Sequence, residues 1–249
     1  MHRFIVARGA EVGATVRLGD ADAHHAAVVL RLREGDRVRL MDGRGLVADA
    51  RLARLSRAGV DALVESAVVQ PAPRVEVGLA VGVTKGKAWD WTLQKCTEAG
   101  VTRIVPILAR RSVVRLEAGD AARRREEWMR TVEEACKQCG AAWWPEVSLP
   151  VSLEAWLAAL GGHDGSAEAR WVAALAEPRR SLLEAARGVG PGVRRAWVAV
   201  GPEGDWDPEE MEGMRGAGFE GVTLGPNVMR SETAAVAAVV LMRAALDAA

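Results

Sequence analysis

The sequence contains no tyrosine, two phenylalanines and three cysteines in 249 residues. Its nine tryptophans are the most numerous aromatic side chains that could stack on a nucleobase. An odd cysteine count in a chain of this length excludes a disulfide scaffold. Cys136 and Cys139 form a C-x-x-C with no second pair, so a four-ligand structural zinc site is not expected, and no metal is assigned. Net charge is also missing: 33 basic and 33 acidic residues cancel. That excludes binding of nucleic acid by bulk charge, though not by a local basic face. No apolar stretch is long enough to cross about 30 Å of hydrocarbon, the richest being 234–242. Nor does an apolar signal run follow Met1. A soluble, cytoplasmic protein without a membrane partner is expected. Lysine is scarce as well, with four against 29 arginines.

Apolar residues at 49% and charged residues at 27% are those of an ordinary globular protein. Residues 1–70 alternate in strand fashion and carry an Asp42-Gly43 hairpin signal, with one short helix over His24–Leu32. They predict a small β-barrel. Gln70-Pro71-Ala72-Pro73 then excludes helix and marks a boundary. Beyond it strands and helices alternate. Strands are predicted at Val75–Val83, Val101–Leu108, Trp171–Ala176, Ala196–Val200 and Gly221–Leu224. Helices are predicted at Trp89–Ala99, Asp120–Cys139, Leu153–Leu160, Arg180–Arg187, Asp207–Ala217 and Ser231–Leu246. Such alternation predicts an α/β domain over 71–249 with a mostly parallel sheet. The first segment carries a net charge of +2 and the second −2.

Two segments carry the chemical signal. In the first, the apolar strand 196–200 runs into Gly201-Pro202-Glu203-Gly204-Asp205 and then into a helix start. Asp207 suits the cap, Pro208 the first helical position, and Glu209 and Glu210 the positive helix end. A loop at the carboxyl end of a parallel strand is where such sheets bind ligands. In the second, Leu224-Gly225-Pro226-Asn227-Val228-Met229 leads into Arg230-Ser231-Glu232-Thr233 at the mouth of an apolar helix. Arg230 and Glu232 are candidate polar groups of a pocket. The competing reading is that Ser231 and Glu232 merely cap that helix. Weaker signals are Gly188–Gly192, a glycine-rich loop that follows a helix and so is no dinucleotide fingerprint, and His24-His25. Arg123-Arg124-Arg125 reads as a solvated face, with an RNA-contacting face as the alternative, and Trp91, Trp128 and Trp197 read as core.

The pair G-P-E-G (201–204) and L-G-x-x-V-M-R-S-E-T-A (224–234) resembles the RsmE family of 16S ribosomal RNA methyltransferases, in the SPOUT class. The likeness extends over nearly the whole chain. His2-Arg3-Phe4, His25–Arg31, Gly35-Asp36 and Asp42-Gly43 resemble the family's PUA-like N-terminal domain. Thr84-Lys85-Gly86-Lys87, Gln94-Lys95, Glu98–Val101, Ile104–Pro106 and Arg111–Val114 resemble later blocks. Two positions depart. Asp205 stands where the family usually has glycine, and Asn227 where it usually has arginine. Asp205 is expected to take the left-handed turn that glycine would, since Asp tolerates it.

The resemblance implies a SPOUT domain with a C-terminal trefoil knot, preceded by a PUA-like barrel. It implies methylation of uridine N3 in small-subunit ribosomal RNA, free or in the assembled subunit, by a homodimer using S-adenosylmethionine. Cofactor binding is then expected at Ala176 and Glu177, at Gly201, Pro202, Glu203 and Gly204, and at Leu224, Gly225, Val228, Met229 and Arg230. Arg230 is the candidate for stabilising the uracil anion, with Glu232 or Glu203 as proton acceptor. Arg3, Arg31 and Arg33 are candidates for positioning RNA. Two other readings are open: a noncatalytic RNA-binding member of the fold, motivated by Asp205 and Asn227, and a knotted methyltransferase with another target atom.

Overall fold

The computed structural model describes residues 1–7, 9–56, 59–114, 119–163, 165, 167–175 and 180–248. The chain falls into two compact units. One comprises Met1–Ala72 with Cys136–Trp144, the other Pro73–Ala135 with Pro145–Ala249. Each is described by itself.

The first unit is built on β1 (His2–Ile5), β2 (Thr15–Arg17), β3 (Arg37–Met41), β4 (Leu46–Ser56) and β5 (Gly59–Val69). They form one sheet in the order β1-β3-β4-β5-β2, antiparallel apart from the β1–β3 pair. Strand alternation buries Val38 and Leu40 of β3, Ala48, Ala50 and Leu52 of β4, and Val60, Ala62 and Val64 of β5 in one core with Phe4 and Leu18. The β3–β4 turn is fastened by Asp42, whose carboxylate accepts the N–H groups of Arg44 and Leu46 at 2.7 and 3.1 Å. The helix expected over His24–Leu32 begins earlier. α1 (Asp20–His24) starts where Asp20 and Asp22 face the positive helix end, and it passes into a π-helical turn at His25–Val29.

The second unit carries an all-parallel sheet of β6 (Glu76–Gly82), β7 (Arg103–Ile107), β8 (Glu146–Val147), β9 (Glu168–Ala173), β10 (Arg195–Val200) and β11 (Glu220–Val222). The order is β11-β9-β10-β6-β7-β8. The chain leaves β6 toward β7 and β8, whereas β10 and β9 lie on the other side of β6. That reversal is the switch point at which open α/β sheets form a ligand crevice.

The helices are α2 (Lys87–Glu98), α3 (Asp120–Cys139), α4 (Leu153–Leu160), α5 (Leu182–Arg187), α6 (Pro208–Gly216) and α7 (Ser231–Leu246). α7 packs against α2 and α5 and covers β6 and β10. Trp197 and Ala199 of β10 join Ile107, Val172, Trp156 of α4 and Met214 of α6 in a separate core. Trp156 meets Trp197 edge-on at 5.3 Å. The period of two leaves Ala196, Val198 and Val200 for the other face of the sheet.

Two expectations about the core need correction. In α2 the buried residues are Trp89, Thr92, Leu93, Cys96 and Thr97, a stripe at i, i+3, i+4, i+7 and i+8. Trp91 lies off that stripe and is 40% exposed, whereas Trp128 and Trp197 are buried as expected. Of the arginine triplet only Arg123 is exposed. Arg125 is half-buried and donates from Nε to the Val147 carbonyl at 2.7 Å.

Candidate functional site

Two loops converge at the carboxyl ends of the central strands. The first follows β10, and its entry is pressed onto the neighbouring strand. A Cβ on Gly82 at the end of β6 would stand 2.6 Å from Pro202, so only glycine admits this path. Asp205 takes φ +58°, the left-handed turn expected of it. Its N–H donates to the Pro202 carbonyl at 2.9 Å, and its carboxylate accepts the Trp206 N–H at 2.9 Å.

The start of α6 then locks the loop exit. Asp207 and Glu210 form a reciprocal capping box, at 2.8 Å from Glu210 N–H to Asp207 and 3.0 Å from Asp207 N–H to Glu210. The Glu210 side chain, 3% exposed, also accepts the backbone N–H of Arg110 at 2.9 Å. The Glu210 N–H, above all, holds the Asp207 carboxyl below its ordinary range. Arg110 donates to Glu209, Asp207 and Glu154, and its hydrogen bond to the Glu209 carboxylate leads in raising its guanidinium pKa.

The second loop follows β11. Thr223 Oγ1 accepts the Gly225 N–H at 3.3 Å and donates to the Gly225 carbonyl at 2.9 Å, closing a tight turn. Pro226, Asn227, Val228 and Arg230 are exposed, Val228 to 76%. α7 then begins, with Arg230 itself at the cap position and no side-chain cap. The capping role that the competing reading gave Ser231 is therefore not found. Ser231 is buried and its hydroxyl donates to the Gly201 carbonyl at 2.6 Å, tying the two loops together.

Between the loops lies a cavity of about 760 Å³, within the roughly 300–1,000 Å³ typical of small-molecule sites. The structure brings Gly201, Pro202, Glu203, Leu224, Gly225, Val228, Met229, Arg230 and Glu232 to it. Gly204 is not among the lining residues. It faces Arg111, whose carbonyl would stand 3.0 Å from an added Cβ and whose Nη1 donates to the Gly204 carbonyl at 3.3 Å. Ala176 and Glu177 lie outside the described residues. The described rim on that side is Ala173, Ala174 and Leu175, because β9 ends at Ala173.

Sequence reasoning missed Ala88, Ala173 and Ser231 as contributors. The end of an apolar strand could have pointed to Ala173. Nothing local points to Ser231, whose partner is 30 residues away. Among the described residues no group of three metal-ligating side chains exists.

The residues expected to hold RNA sit in the first unit and differ among themselves. Arg31, at φ +54°, and Arg33 are exposed. Arg3 is engaged: its Nη1 donates to the carbonyls of Lys137 and Gln138 at 2.9 and 2.8 Å. It thus satisfies carbonyls at the end of α3 that no helical N–H can reach, a structural task the sequence reading did not assign it.

Comparison with known proteins supplies the context for this geometry. Residues 70–243 match the family described as RNA methyltransferase domain, and residues 18–65 the family described as RNA methyltransferase PUA domain. The chain is similar to the ribosomal RNA small subunit methyltransferase E of Synechocystis, with 30% identity over 99% of this chain and 78% of that one. It is similar to the protein of the same name from Bacillus subtilis, with 30% identity over 90% and 88%. Its fold resembles that of the Neisseria gonorrhoeae ribosomal RNA small subunit methyltransferase E bound to S-adenosyl methionine. The TM-score is 0.86 and the identity 29%, over 98% of this chain and 97% of that one.

Proposed function

The chain belongs to the ribosomal RNA small subunit methyltransferase E family, an S-adenosylmethionine-dependent class of ribosomal RNA methyltransferase, and on that premise we propose that it methylates N3 of a uridine in small-subunit ribosomal RNA. The observation that carries the proposal is the convergence of loops 201–205 and 224–230 on one cavity at the switch point of a parallel sheet. Residues 1–70 are the RNA-docking part and 71–249 the catalytic part.

The cavity suits the donor. Leu224, Val228 and Met229 offer apolar surface for an adenine face, Gly201 and Gly225 leave loop backbone free of side chains, and the carboxylates of Glu203 and Glu232 would complement a cationic sulfonium. Bound there, the donor supplies a methyl group already activated on sulfur. The acceptor needs more help, because N3 of uracil carries a proton and is a poor nucleophile until it leaves. Glu232 or Glu203 accepts that proton, and Arg230 donates hydrogen bonds to O2 or O4, where negative charge gathers. With the donor bound there, N3 would take its methyl group and the donor would leave as the neutral thioether. Gly201, Pro202, Leu224, Gly225, Val228 and Met229 hold the donor in line, which serves alignment more than activation.

The same reading includes a C-terminal trefoil knot and a homodimer, checked by light scattering on the intact protein. It also includes action in the cytoplasm. No helix among the described residues is long and apolar enough to cross a membrane. The decisive test is transfer of labelled methyl to small-subunit RNA, offered free and as assembled subunits, followed by mass spectrometry of the nucleoside. 3-Methyluridine is expected. Modification at another atom would overturn the target assignment, and donor binding without transfer would favour a noncatalytic RNA-binding role.

A further inference from the structure

A second cavity, of about 710 Å³, opens on the other side of the first turn of α2. Ala88 lines the donor cavity, whereas Gly86, Trp89 and Asp90 line this one. We propose that this cavity receives one unstacked nucleotide of the RNA strand, held by Thr84, Trp89 and Arg124.

Three residues that line it each carry a buried polar atom with no hydrogen-bond partner among the described residues: Thr84 Oγ1, Trp89 Nε1 and Arg124 Nε. Thr84 and Trp89 are each only 3% exposed. Native interiors rarely leave such groups unmatched, and three lining one cavity mark a place prepared for a ligand. The indole and the guanidinium Nε can only donate, and the threonine hydroxyl can do either. A ligand that satisfies all three must present acceptor oxygens, as base carbonyls, ribose and phosphodiester do.

The surroundings fit a nucleotide better than a bare phosphate. Lys85 and Arg124 are balanced at the cavity by Asp90 and Glu127, so charge alone does not select an anion. The volume far exceeds that of a phosphate and suits a whole nucleotide. Trp89 and Trp128 meet edge-on at 5.2 Å and provide an aromatic wall for an unstacked base. Arg124 is held in place by a 3.1 Å bond from Nη1 to Glu127. Gly86, at φ +56° with no side chain, caps α2 and leaves the first N–H groups of a 12-residue helix open. Ser112, next to the lining residue Val113, donates to the carbonyl of the lining residue Val83 at 2.8 Å.

The assignment rests on the RNA methyltransferase reading above, and the test separates the two. Binding of a fluorescently labelled single-stranded oligouridine to the full-length protein is followed by anisotropy, and S-adenosylmethionine binding by calorimetry. Thr84→Val keeps shape and removes one hydrogen-bonding group, and Trp89→Phe removes the indole N–H together with part of the ring. Each is expected to weaken RNA binding about five- to tenfold, as loss of one hydrogen bond does. Donor affinity is expected to stay within about twofold, and Thr84→Ser to retain RNA affinity. Unchanged RNA affinity in both variants, with donor binding intact, would overturn the nucleotide site. Parallel loss of both ligands would overturn it too, by showing a structural role. Failure of the unmodified protein to bind the donor would remove the methyltransferase reading and this site with it.

Discussion

The two loops that face each other across the donor cavity are held in opposite ways. Loop 201–206 is fastened at nearly every residue: Pro202 stacks over Gly82, Asp205 closes its own turn, and the Asp207–Glu210 box locks its exit. Loop 224–230 has one tight turn at Thr223–Gly225 and then a run of exposed side chains. The Ser231–Gly201 bond is where the second loop is tied to the first. The lesson is a division of labour. One loop is a rigid wall of the cavity and the other presents exposed side chains to it; in the proposed function the first sets where the donor lies and the second serves the acceptor base.

The comparison can be broken most sharply at Arg230. Arg230→Ala is expected to lower methyl transfer about 100-fold or more, as loss of a charge-stabilising donor does, with calorimetric donor affinity unchanged. A rate near that of the unmodified enzyme would transfer the catalytic role elsewhere. The rigid wall is tested by Glu210→Ala. This removes the capping box and leaves the Arg110 and Asp207 N–H groups without their acceptor, at a cost of about 2–4 kcal/mol by denaturant unfolding. A loss below about 0.5 kcal/mol would mean the wall is not built on that side chain. Ser231→Ala cuts the tie itself and is expected to cost about 1–2 kcal/mol, since the Gly201 carbonyl loses its partner. Donor affinity should fall with it.

Val228→Ser sits at the adaptable end. Unfolding free energy should stay within about 0.5 kcal/mol, while donor affinity falls a few-fold as apolar contact is lost. A gentler probe is pH. The folded-state pKa of Asp207 lies below its ordinary value, so its cap stabilises the protein fully above the ordinary aspartate range near pH 4. That contribution disappears as pH falls through the lower, folded-state value. Asp207→Asn, which keeps an acceptor but cannot titrate, should flatten this part of the acid limb in thermal unfolding scans.

Much of this arrangement was legible in the residues. The boundaries of α3, α4 and α7 are those expected, because apolar periodicity and cap residues fix helix ends locally. β1, β2 and β8 escaped notice because they are two to four residues long, and β1 finds its partner β3 some 36 residues along the chain. At the site, the Gly-Pro turns and the Arg230–Glu232 cluster announced themselves. Gly204 does not line the cavity, because a motif shows which residues adjoin in sequence, not which side of a turn faces the cavity. Trp91 went astray for a related reason: its residue type said core, and its helical phase said surface. The orphaned atoms of Thr84, Trp89 and Arg124 could not be read at all, since being without a partner is a property of burial.

The strand order has a consequence for the life of the chain before it is complete. β6 and β10 are neighbours in the middle of the parallel sheet, yet the Glu76–Arg195 pair that joins their ends spans 119 residues. During synthesis from the N-terminus, the β3–β4–β5 hairpins can pair as soon as they emerge. β6 must wait, one edge unpaired, until most of the remaining polypeptide has been made. An exposed strand of this kind, apolar from Val77 to Val81, is a natural point of capture by chaperones and of misassociation. Newly made protein of this sequence should therefore be most vulnerable to aggregation in the interval between translation of residue 82 and of residue 195.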